Sequence, residues 1–407
     1  MYIKQLEVKN FRAFKNIKIF FNQRFNLIIG SNGIGKTSLL RAIIYSYCSN
    51  GFNDTRFKNG CYLATTFNIN NNEIKIGLPF KEQIEENIYR EYFNYSSHTD
   101  YFGHQEIKQN WSQIEDFIPP LVLGAFRKID YKRIDGMKKE NHVKDSRNNY
   151  RENAVNFLND GSLIEIKQWM INRYFIIEKE WAKQEKENWE WLLENFSLFS
   201  PQSKTFNFFQ IERDLEPKFK IDGEICYLEE LSAGFKSILS IVCSIFAWIE
   251  SVNENKSVKE AEGIVLIDEL DAHLHPEWQL TIRDALLKIF PKLQFIVTTH
   301  SPHLIASAKE KEIIILENLI NEEEAILEPI DKSYSGWSTD SILEEIMNVD
   351  LTIKDYDKKI KEILVLFKEK NVEKLERKIK ELEKVSNTND TLITSFKIQL
   401  AELELGD

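Results

Sequence analysis

Residues 30–37 have the types and spacing of a loop that binds phosphate. They read GSNGIGKT, which fits GxxxxGK followed by Ser or Thr, after an apolar run and before a helical pattern. Glycines let backbone N–H groups surround a phosphate where a Cβ atom would clash, and a helix N-terminus adds positive potential. Lys36 would contact the β- and γ-phosphates of ATP, and the Thr37 hydroxyl would bind Mg²⁺. The predicted nucleotide-binding residues are Gly30, Asn32, Gly33, Gly35, Lys36, Thr37 and Ser38.

A pair of carboxylates, Asp268 and Glu269, follows the very apolar segment 263–267. Ligands bind beyond the carboxyl ends of parallel strands, so both acids are expected at the same crevice as the glycine-rich loop. We expect Asp268 to hold Mg²⁺ through a water molecule, and Glu269 to orient and deprotonate the water that attacks the γ-phosphate. Two acids after a strand are common, but the phosphate loop in the same chain favours the catalytic interpretation.

The segment LSAGFKS, at residues 231–237, precedes an apolar helical pattern and resembles the signature motif of the ABC ATPases. A serine and a glycine at a helix start also form an anion-binding nest. In that family the signature of one subunit caps the γ-phosphate bound to the other. The resemblance therefore implies that Ser232 and Gly234 act in trans, in a homodimer that sandwiches ATP and can build a larger assembly. Ala233 and Phe235 depart from the usual motif.

Two more positions match motifs of these ATPases. His300 follows a strand-like run and matches the switch histidine that contacts the γ-phosphate. The resemblance therefore assigns catalysis to His300, Glu269 and Lys36 together. Asp271 matches the loop that crosses the dimer interface in the family, which implies the same position for it here.

The N-terminal segments of the chain indicate which branch of the ABC ATPases it resembles. The segments LEVKNFRAF and FNLIIGSNGIGKTSLLRAI are similar to the SMC, RecF and overcoming-lysogenization-defect (OLD) branch. This resemblance implies that Arg12 reaches the nucleotide phosphates, and Gln105 is the candidate for the family's Q-loop glutamine. Between Thr37 and Leu231 lie 193 residues, too few for the coiled-coil arms of SMC proteins, and no Toprim nuclease pattern follows His300. The chain therefore resembles a bare ATPase head.

The segment that follows the head has a pattern of its own. Tyr334, Gly336 and the run Asp340-Ser-Ile-Leu fit a stretch found in the PtuA-like ATPases of Septu and retron-associated anti-phage defence systems. This resemblance implies a nucleotide-gated sensor or regulator of an HNH-type nuclease partner. A retron would add a reverse transcriptase and a noncoding RNA as partners. Two alternatives stay open, a RecF-like DNA-binding repair ATPase and a nucleotide-locked scaffold with negligible turnover.

The elements that must position these residues alternate between strand and helix patterns, which predicts an α/β fold. We predict an ABC-ATPase head with a mixed, largely parallel sheet around the phosphate loop, an antiparallel β lobe, a helical insertion and a helical C-terminal tail. The predicted nucleotide-binding core combines residues 1–60 and 225–330. Residues 61–224 would form the lobe and the insertion, and residues 331–407 the tail, a candidate surface for a partner.

Local patterns within these ranges give sharper expectations. Residues 61–80 alternate like two strands around an Asn-rich turn, which predicts a β-hairpin. Residues 162–195 read as one long, Trp-rich amphipathic helix. Residues 238–249 form an apolar run that is too short to span a bilayer, which predicts a buried helix. Residues 372–382 have coiled-coil spacing, but over too short a run to predict a coiled coil.

The overall charge limits the classes of partner. The chain of 407 residues has a formal net charge of −11, which argues against a protein that coats nucleic acid indiscriminately. Residues 127–151 hold nine Lys or Arg against four Asp or Glu, so a solvated loop and a local DNA contact both stay open there. Four scattered cysteines without CxxC spacing indicate neither a zinc site nor a disulfide framework. With no membrane segment or signal sequence in the pattern, we expect a cytoplasmic protein.

Overall fold

The computed structural model describes residues 1–48, 61–79, 117–160, 165–200, 205–254, 257–316, 324–348, 354–369, 371–385 and 391–405. The chain divides into two compact units, Met1–Ile342 and Leu343–Asp407. The strands are β1 (Tyr2–Phe11), β2 (Phe14–Phe20), β3 (Phe25–Ile29), β4 (Tyr62–Ile69), β5 (Asn72–Pro79), β6 (Leu121–Leu123), β7 (Phe206–Ile211), β8 (Pro217–Ile221), β9 (Glu224–Tyr227), β10 (Gly263–Ile267), β11 (Leu293–Thr298), β12 (Ile313–Ile315) and β13 (Ala325–Leu327). The α-helices are α1 (Lys36–Tyr47), α2 (Val143–Glu152), α3 (Ala154–Asp160), α4 (Ile166–Ile176), α5 (Lys183–Glu194), α6 (Ala233–Val252), α7 (Pro276–Ile289), α8 (Pro302–Ser307), α9 (Thr339–Ser341), α10 (Lys354–Lys368), α11 (Val372–Glu383) and α12 (Thr391–Leu405).

A parallel sheet of the order β12-β3-β11-β10-β6 forms the centre of the first unit. Every residue of β3, β10 and β11 is buried. Parallel strands covered on both faces need such continuous apolar runs, and the sequence supplies them. The carboxyl ends of β3, β10 and β11 therefore open at one edge of the sheet, where loops can meet. The predicted α/β class with a largely parallel sheet is confirmed.

A second sheet has the order β13-β2-β1-β4-β5 and is antiparallel except for the parallel pair β13 and β2. The predicted hairpin is present as β4 and β5, which pair from Tyr62 with Pro79 to Ile69 with Asn72. Its turn consists of Asn70 and Asn71, with φ of 49° and 65°. Two left-handed residues are what a tight type I′ turn requires, and asparagine tolerates that conformation. Strands β7, β8 and β9 form a separate antiparallel sheet.

The helical insertion corrects one prediction. The single helix expected over residues 162–195 is wrong, because α4 ends at Ile176 and α5 begins at Lys183, with a short 3₁₀ turn at Glu180–Ala182 between them. In one straight helix, Trp169 and Trp189 would lie about 30 Å apart at 1.5 Å per residue. Their ring centroids are 6.0 Å apart in the fold. The break allows the two helices to pack together and bury both rings.

Helix α6 carries the apolar run predicted to be a buried helix. By length and composition it could cross a membrane, but 83% of its most apolar window is buried inside the protein. Trp248 in its last turns is fully buried, and its Nε1 donates to the Pro119 carbonyl at 3.1 Å. The run is therefore a core helix, as the sequence predicts.

The second unit is a small helical bundle. Side chains of α10, α11 and α12 form one apolar cluster, consisting of Ile363, Leu375, Ile379, Leu382, Ile393, Phe396 and Leu400. The coiled-coil-like spacing in α11 therefore serves packing within this bundle.

Candidate nucleotide-binding site

The loop between β3 and α1 has the conformation that its glycines permit. Gly33 and Gly35 have φ of 79° and 116°, which side chains rarely adopt. A Cβ atom on Gly35 would also lie 2.8 Å from the Phe14 ring, and one on Gly30 would lie 3.0 Å from the Leu316 carbonyl oxygen. Asn32 and Gly33 are exposed at the tip. The loop therefore presents its backbone to solvent directly before a helix N-terminus, where an anion is stabilised.

Lys36 turns back into this loop. Its Nζ donates to the carbonyl oxygens of Gly30 at 2.7 Å and Ser31 at 3.0 Å, and lies 3.4 Å from His300 Nδ1. Burial lowers the pKa of Lys36 to about 8, while nearby carboxylates, Asp268 first among them, act in the opposite direction. The ammonium is held inside the loop by two carbonyls and lies near His300, so a phosphate there would gain a close cation.

A direct hydrogen bond joins the phosphate loop to the acid pair. The Thr37 hydroxyl donates to Asp268 Oδ2 at 2.9 Å, and the Thr298 hydroxyl donates to Asp268 Oδ1 at 2.6 Å. A hydroxyl and a carboxylate are hard oxygen donors of the kind that Mg²⁺ prefers. The donor set fits magnesium. In the described part of the chain, no group of three or more His, Cys, Asp or Glu side chains is placed to hold a metal.

Glu269 has a constrained backbone beside this pair. Its φ of 50° is unusual for a residue with a side chain and costs of the order of 1–3 kcal/mol. Three contacts hold that conformation, since its N–H donates to Thr298 Oγ1 at 2.8 Å and its carbonyl oxygen accepts from Arg127 Nη2 at 2.6 Å and from the Ala272 N–H at 2.9 Å. The side chain is only half-buried. The backbone is thus fixed in a strained conformation while the carboxylate remains accessible, as a catalytic acid or base requires.

His300 and Asp271 meet on the other side of the acid pair. The Asp271 carboxylate accepts from the Thr299 hydroxyl and, at 3.3 Å, from the His300 backbone N–H. Burial lowers the pKa of His300, and the charge of Lys36 lowers it further. The imidazole is therefore neutral at neutral pH, so it can accept or donate a hydrogen bond at a phosphate oxygen.

Arg12 lies beside the first turn of α1. Its Nη1 donates to Ser38 Oγ at 3.2 Å, and its own φ is 52°. Burial lowers the pKa of Arg12, and Arg41 lowers it further. The cationic Arg12 side chain, bonded to Ser38, therefore lies next to the phosphate loop. The Q-loop candidate Gln105 lies outside the described residues.

The signature residues start helix α6. Ser232 is the N-cap of this helix, is exposed, and makes no side-chain capping bond. Gly234 is buried against Trp278, whose ring would lie 2.3 Å from any Cβ atom added there. The glycine is therefore required by packing inside the same chain. Among the described residues, no hydrogen bond joins Ser232 or Gly234 to the phosphate loop, so the structure does not bring the signature to its own loop.

The sequence pattern does not identify Arg127 as a residue of this site. Arg127 was expected in an exposed basic stretch, but it is 3% exposed and donates to the carbonyl oxygens of Asp268 and Glu269. It cannot belong to a DNA-binding surface over residues 127–151. Two other cations of that stretch are paired, Lys132 with Glu165 and Arg133 with Asp135. Its position just beyond β6, a parallel strand next to β10, is the signal that could have found it.

The chain is similar to several known proteins. Residues 25–306 match the family described as "AAA domain, putative AbiEii toxin, Type IV TA system". The chain is 29% identical to the Septu protein PtuA of Bacillus thuringiensis, over 99% of this chain and 98% of that protein. It is 43% identical to the Retron Ec83 probable ATPase of Escherichia coli, over 22% of this chain but 17% of that protein. A solved SMC head bound to the C-winged helix domain of ScpA is similar with a TM-score of 0.45 and 17% identity, covering 83% of this chain and 100% of that one. The predicted resemblance to PtuA-like and retron-associated ATPases is confirmed.

Proposed function

The chain belongs to the ATPase family described as "AAA domain, putative AbiEii toxin, Type IV TA system", and we propose that it hydrolyses Mg²⁺-bound ATP at a site completed by a second copy of itself. The observation that carries the chemistry is the hydrogen bond between Thr37 and Asp268, which joins the phosphate loop to the acid pair. The loop N–H groups and Lys36 bind the phosphates. Glu269 takes the proton of the attacking water, and His300 contacts the γ-phosphate.

Magnesium would be held by Thr37 directly and by Asp268 through water, and would neutralise charge on the phosphate oxygens. Thr298 orients the Asp268 carboxylate, since its hydroxyl donates to the oxygen that Thr37 does not use. Thr37 lies in the first turn of the helix after β3, Asp268 directly follows β10, and Thr298 ends β11, so the parallel sheet fixes their separation.

A second copy would supply the signature. Ser232 is exposed at the start of a long helix, its hydroxyl makes no capping bond, and among the described residues it has no hydrogen bond to its own phosphate loop. A free helix N-terminus with a serine hydroxyl suits the γ-phosphate of a nucleotide bound by another chain. Asp271 would lie at the same contact between the two copies.

The test of the chemistry is phosphate release from the wild type and from Glu269→Gln. We expect the variant to bind ATP and to lose at least about 100-fold in rate, the usual contribution of a general base. Glu190→Gln, at an exposed position on α5, is the matched control and should hydrolyse ATP like the wild type. Equal, near-zero rates in all three proteins would favour a nucleotide-locked scaffold, and equal high rates would remove Glu269 from the mechanism.

For the biological role, we propose a cytoplasmic, ATP-gated regulator of a partner nuclease in anti-phage defence. Similarity to the Septu protein PtuA over nearly the whole of both chains supports this role. ATP would hold the two copies closed and restrain the nuclease, and loss of nucleotide would release it. Mass measurement of the complex purified from its native operon should show a nuclease subunit whose association depends on ATP. An operon without a nuclease gene would contradict this role.

A further inference from the structure

We propose that Arg127 is a positioning residue for hydrolysis and that, through Ser237, it couples the helix that carries the signature to Glu269 of the same chain. The inference rests on the proposed role of Glu269 as the general base. It concerns what holds that base in place and what can move it.

The guanidinium of Arg127 is buried, and among the described residues no carboxylate is hydrogen-bonded to it. Its hydrogen bonds go to the carbonyl oxygens of Gly124 at 3.0 Å, Asp268 at 2.9 Å and Glu269 at 2.6 Å, and to the Ser237 hydroxyl at 3.2 Å. Burial lowers its pKa to about 10, so it is still a cation at neutral pH. A purely structural arginine in a core is normally neutralised by a bonded acid. The Arg127 guanidinium instead donates to the backbone carbonyls of the two proposed functional acids, Asp268 and Glu269.

The contact with Glu269 acts on a strained residue. The left-handed backbone of Glu269 persists only if its surroundings enforce it, and Arg127 and the Ala272 N–H bond its carbonyl while Thr298 bonds its N–H. If the Arg127 contact is removed, two main-chain bonds remain on the peptide after Glu269, from the Ala272 N–H to its carbonyl and from its own N–H, that of Leu270, to the Thr298 carbonyl, each at 2.9 Å. We infer that these two bonds alone hold the strained backbone less firmly, so that the peptide shifts towards an ordinary conformation. The carboxylate then moves away from the attacking water, although neither the phosphate loop nor Lys36 is touched.

Ser237 extends this contact to helix α6. It lies five residues after Ser232, is fully buried, accepts from Arg127 Nε, and donates to the Ala272 carbonyl at 3.1 Å. One hydrogen-bonded bridge therefore joins the helix that begins with the signature to residues 268–272. In the two-copy arrangement, the signature contacts the partner's nucleotide while Glu269 serves the chain's own. Movement of α6 at one site would thus be transmitted to the base of the other.

The experiment compares Arg127→Gln, Arg127→Lys, Arg127→Ala, Ser237→Ala and the exposed neighbour control Lys128→Gln with the wild type. Each protein is measured for thermal unfolding, ATP affinity, kcat and the dependence of the rate on ATP concentration. For Arg127→Gln we expect unchanged ATP affinity and a kcat lower by about 100-fold, the usual effect of misplacing a reacting group by about 1 Å. Millimolar guanidinium should restore part of the lost rate in Arg127→Ala, whose truncated side chain leaves room for the ion and its donors. Under a merely structural role, kcat would fall only as far as folding and ATP affinity fall.

Ser237→Ala should retain folding and ATP affinity and abolish cooperativity in ATP, because it cuts only the link to α6. Arg127→Lys, which keeps the charge but loses the planar fork, should resemble Arg127→Gln in kcat. A folded Arg127→Gln or Arg127→Lys protein with wild-type kcat would overturn the positioning role. A Ser237→Ala protein with wild-type cooperativity, or a wild type without cooperativity, would overturn the coupling. If the wild type itself does not hydrolyse ATP, the proposed function fails instead, so the two failures are distinct.

Discussion

Lys36 is a buried residue, and burial disfavours the charged form of its ammonium group. Its ammonium is satisfied by two loop carbonyls, and its pKa is lowered to about 8 by loss of solvation. A triphosphate placed in the loop would stabilise the ammonium and raise that pKa again. Binding of ATP is therefore linked to uptake of a proton by this one side chain.

The linkage predicts how ATP affinity depends on pH. Because the pKa of Lys36 in the free site is about 8 and rises in the complex, affinity should fall as the pH increases through 8 and level off below it. Calorimetry in buffers of different ionisation enthalpy should detect net proton uptake near pH 8. Lys36→Arg keeps its charge throughout, so its weaker binding should lose this dependence on pH. An equal pH dependence in both proteins would assign the proton to another group.

Site residues that lie together in one segment of the chain can be predicted from the sequence. Site residues that only folding brings together cannot. The loop from Gly30 to Thr37 is contiguous, and its chemistry follows from its spacing. Arg127 contacts Ser237 and Asp268, which are 110 and 141 residues away in the chain. Nothing in its neighbourhood of lysines and arginines distinguishes it, so composition suggested a surface charge.

At the scale of elements, hydrogen bonds to one buried carboxylate join three helices. Glu250 of α6 accepts from Trp169 Nε1 and Arg173 Nε of α4, and from Asn188 Nδ2 of α5. All of these side chains are buried, so the bonds form in a low dielectric where they are strong. The helix that carries the signature is therefore fixed to the helical insertion along its C-terminal half.

Breaking this network should cost stability. Glu250→Ala leaves Arg173 with only the more exposed Glu140, so we expect a loss of about 3 kcal/mol in the free energy of unfolding, at the low end for a broken buried pair. Replacing both Glu250 and Arg173 by Met should recover much of this loss, because no buried charge is left unpaired. Urea unfolding of Glu250→Met, Arg173→Met and the double Met variant closes the cycle and measures the coupling. Glu260→Ala, in an exposed pair with Lys292, is the control and should unfold like the wild type. Additive losses in the double variant would contradict a coupled network.

The helices of the insertion also show why one prediction from the sequence fails. Helical periodicity continues across residues 162–195, so the pattern gives one helix, while the fold breaks it to bring Trp169 and Trp189 together. That contact lies beyond the reach of any local pattern. The hairpin of β4 and β5 was predictable because Asn70 and Asn71 define its turn locally.

At the scale of the whole molecule, the residues of the proposed site fall into two groups. The ends of β3, β10 and β11 gather the phosphate loop, the acid pair and His300, while Ser232 begins α6 without contact to that loop among the described residues. The overall class was predictable from the alternation of strands and helices. The helical bundle formed by α10, α11 and α12 was not, because three short amphipathic helices give no sequence signal of which partners they choose.

The central claim, that two copies share each nucleotide site, is tested most directly by mixing two inactive variants, Lys36→Ala and Ser232→Arg. A mixed dimer has one pocket with both defects and one with an intact loop and an intact signature. If exchange is random, half of the dimers are mixed, so phosphate release should recover to about a quarter of the wild-type rate. A mixture that releases no more phosphate than its separate components, with subunit exchange verified by mass, would contradict the claim.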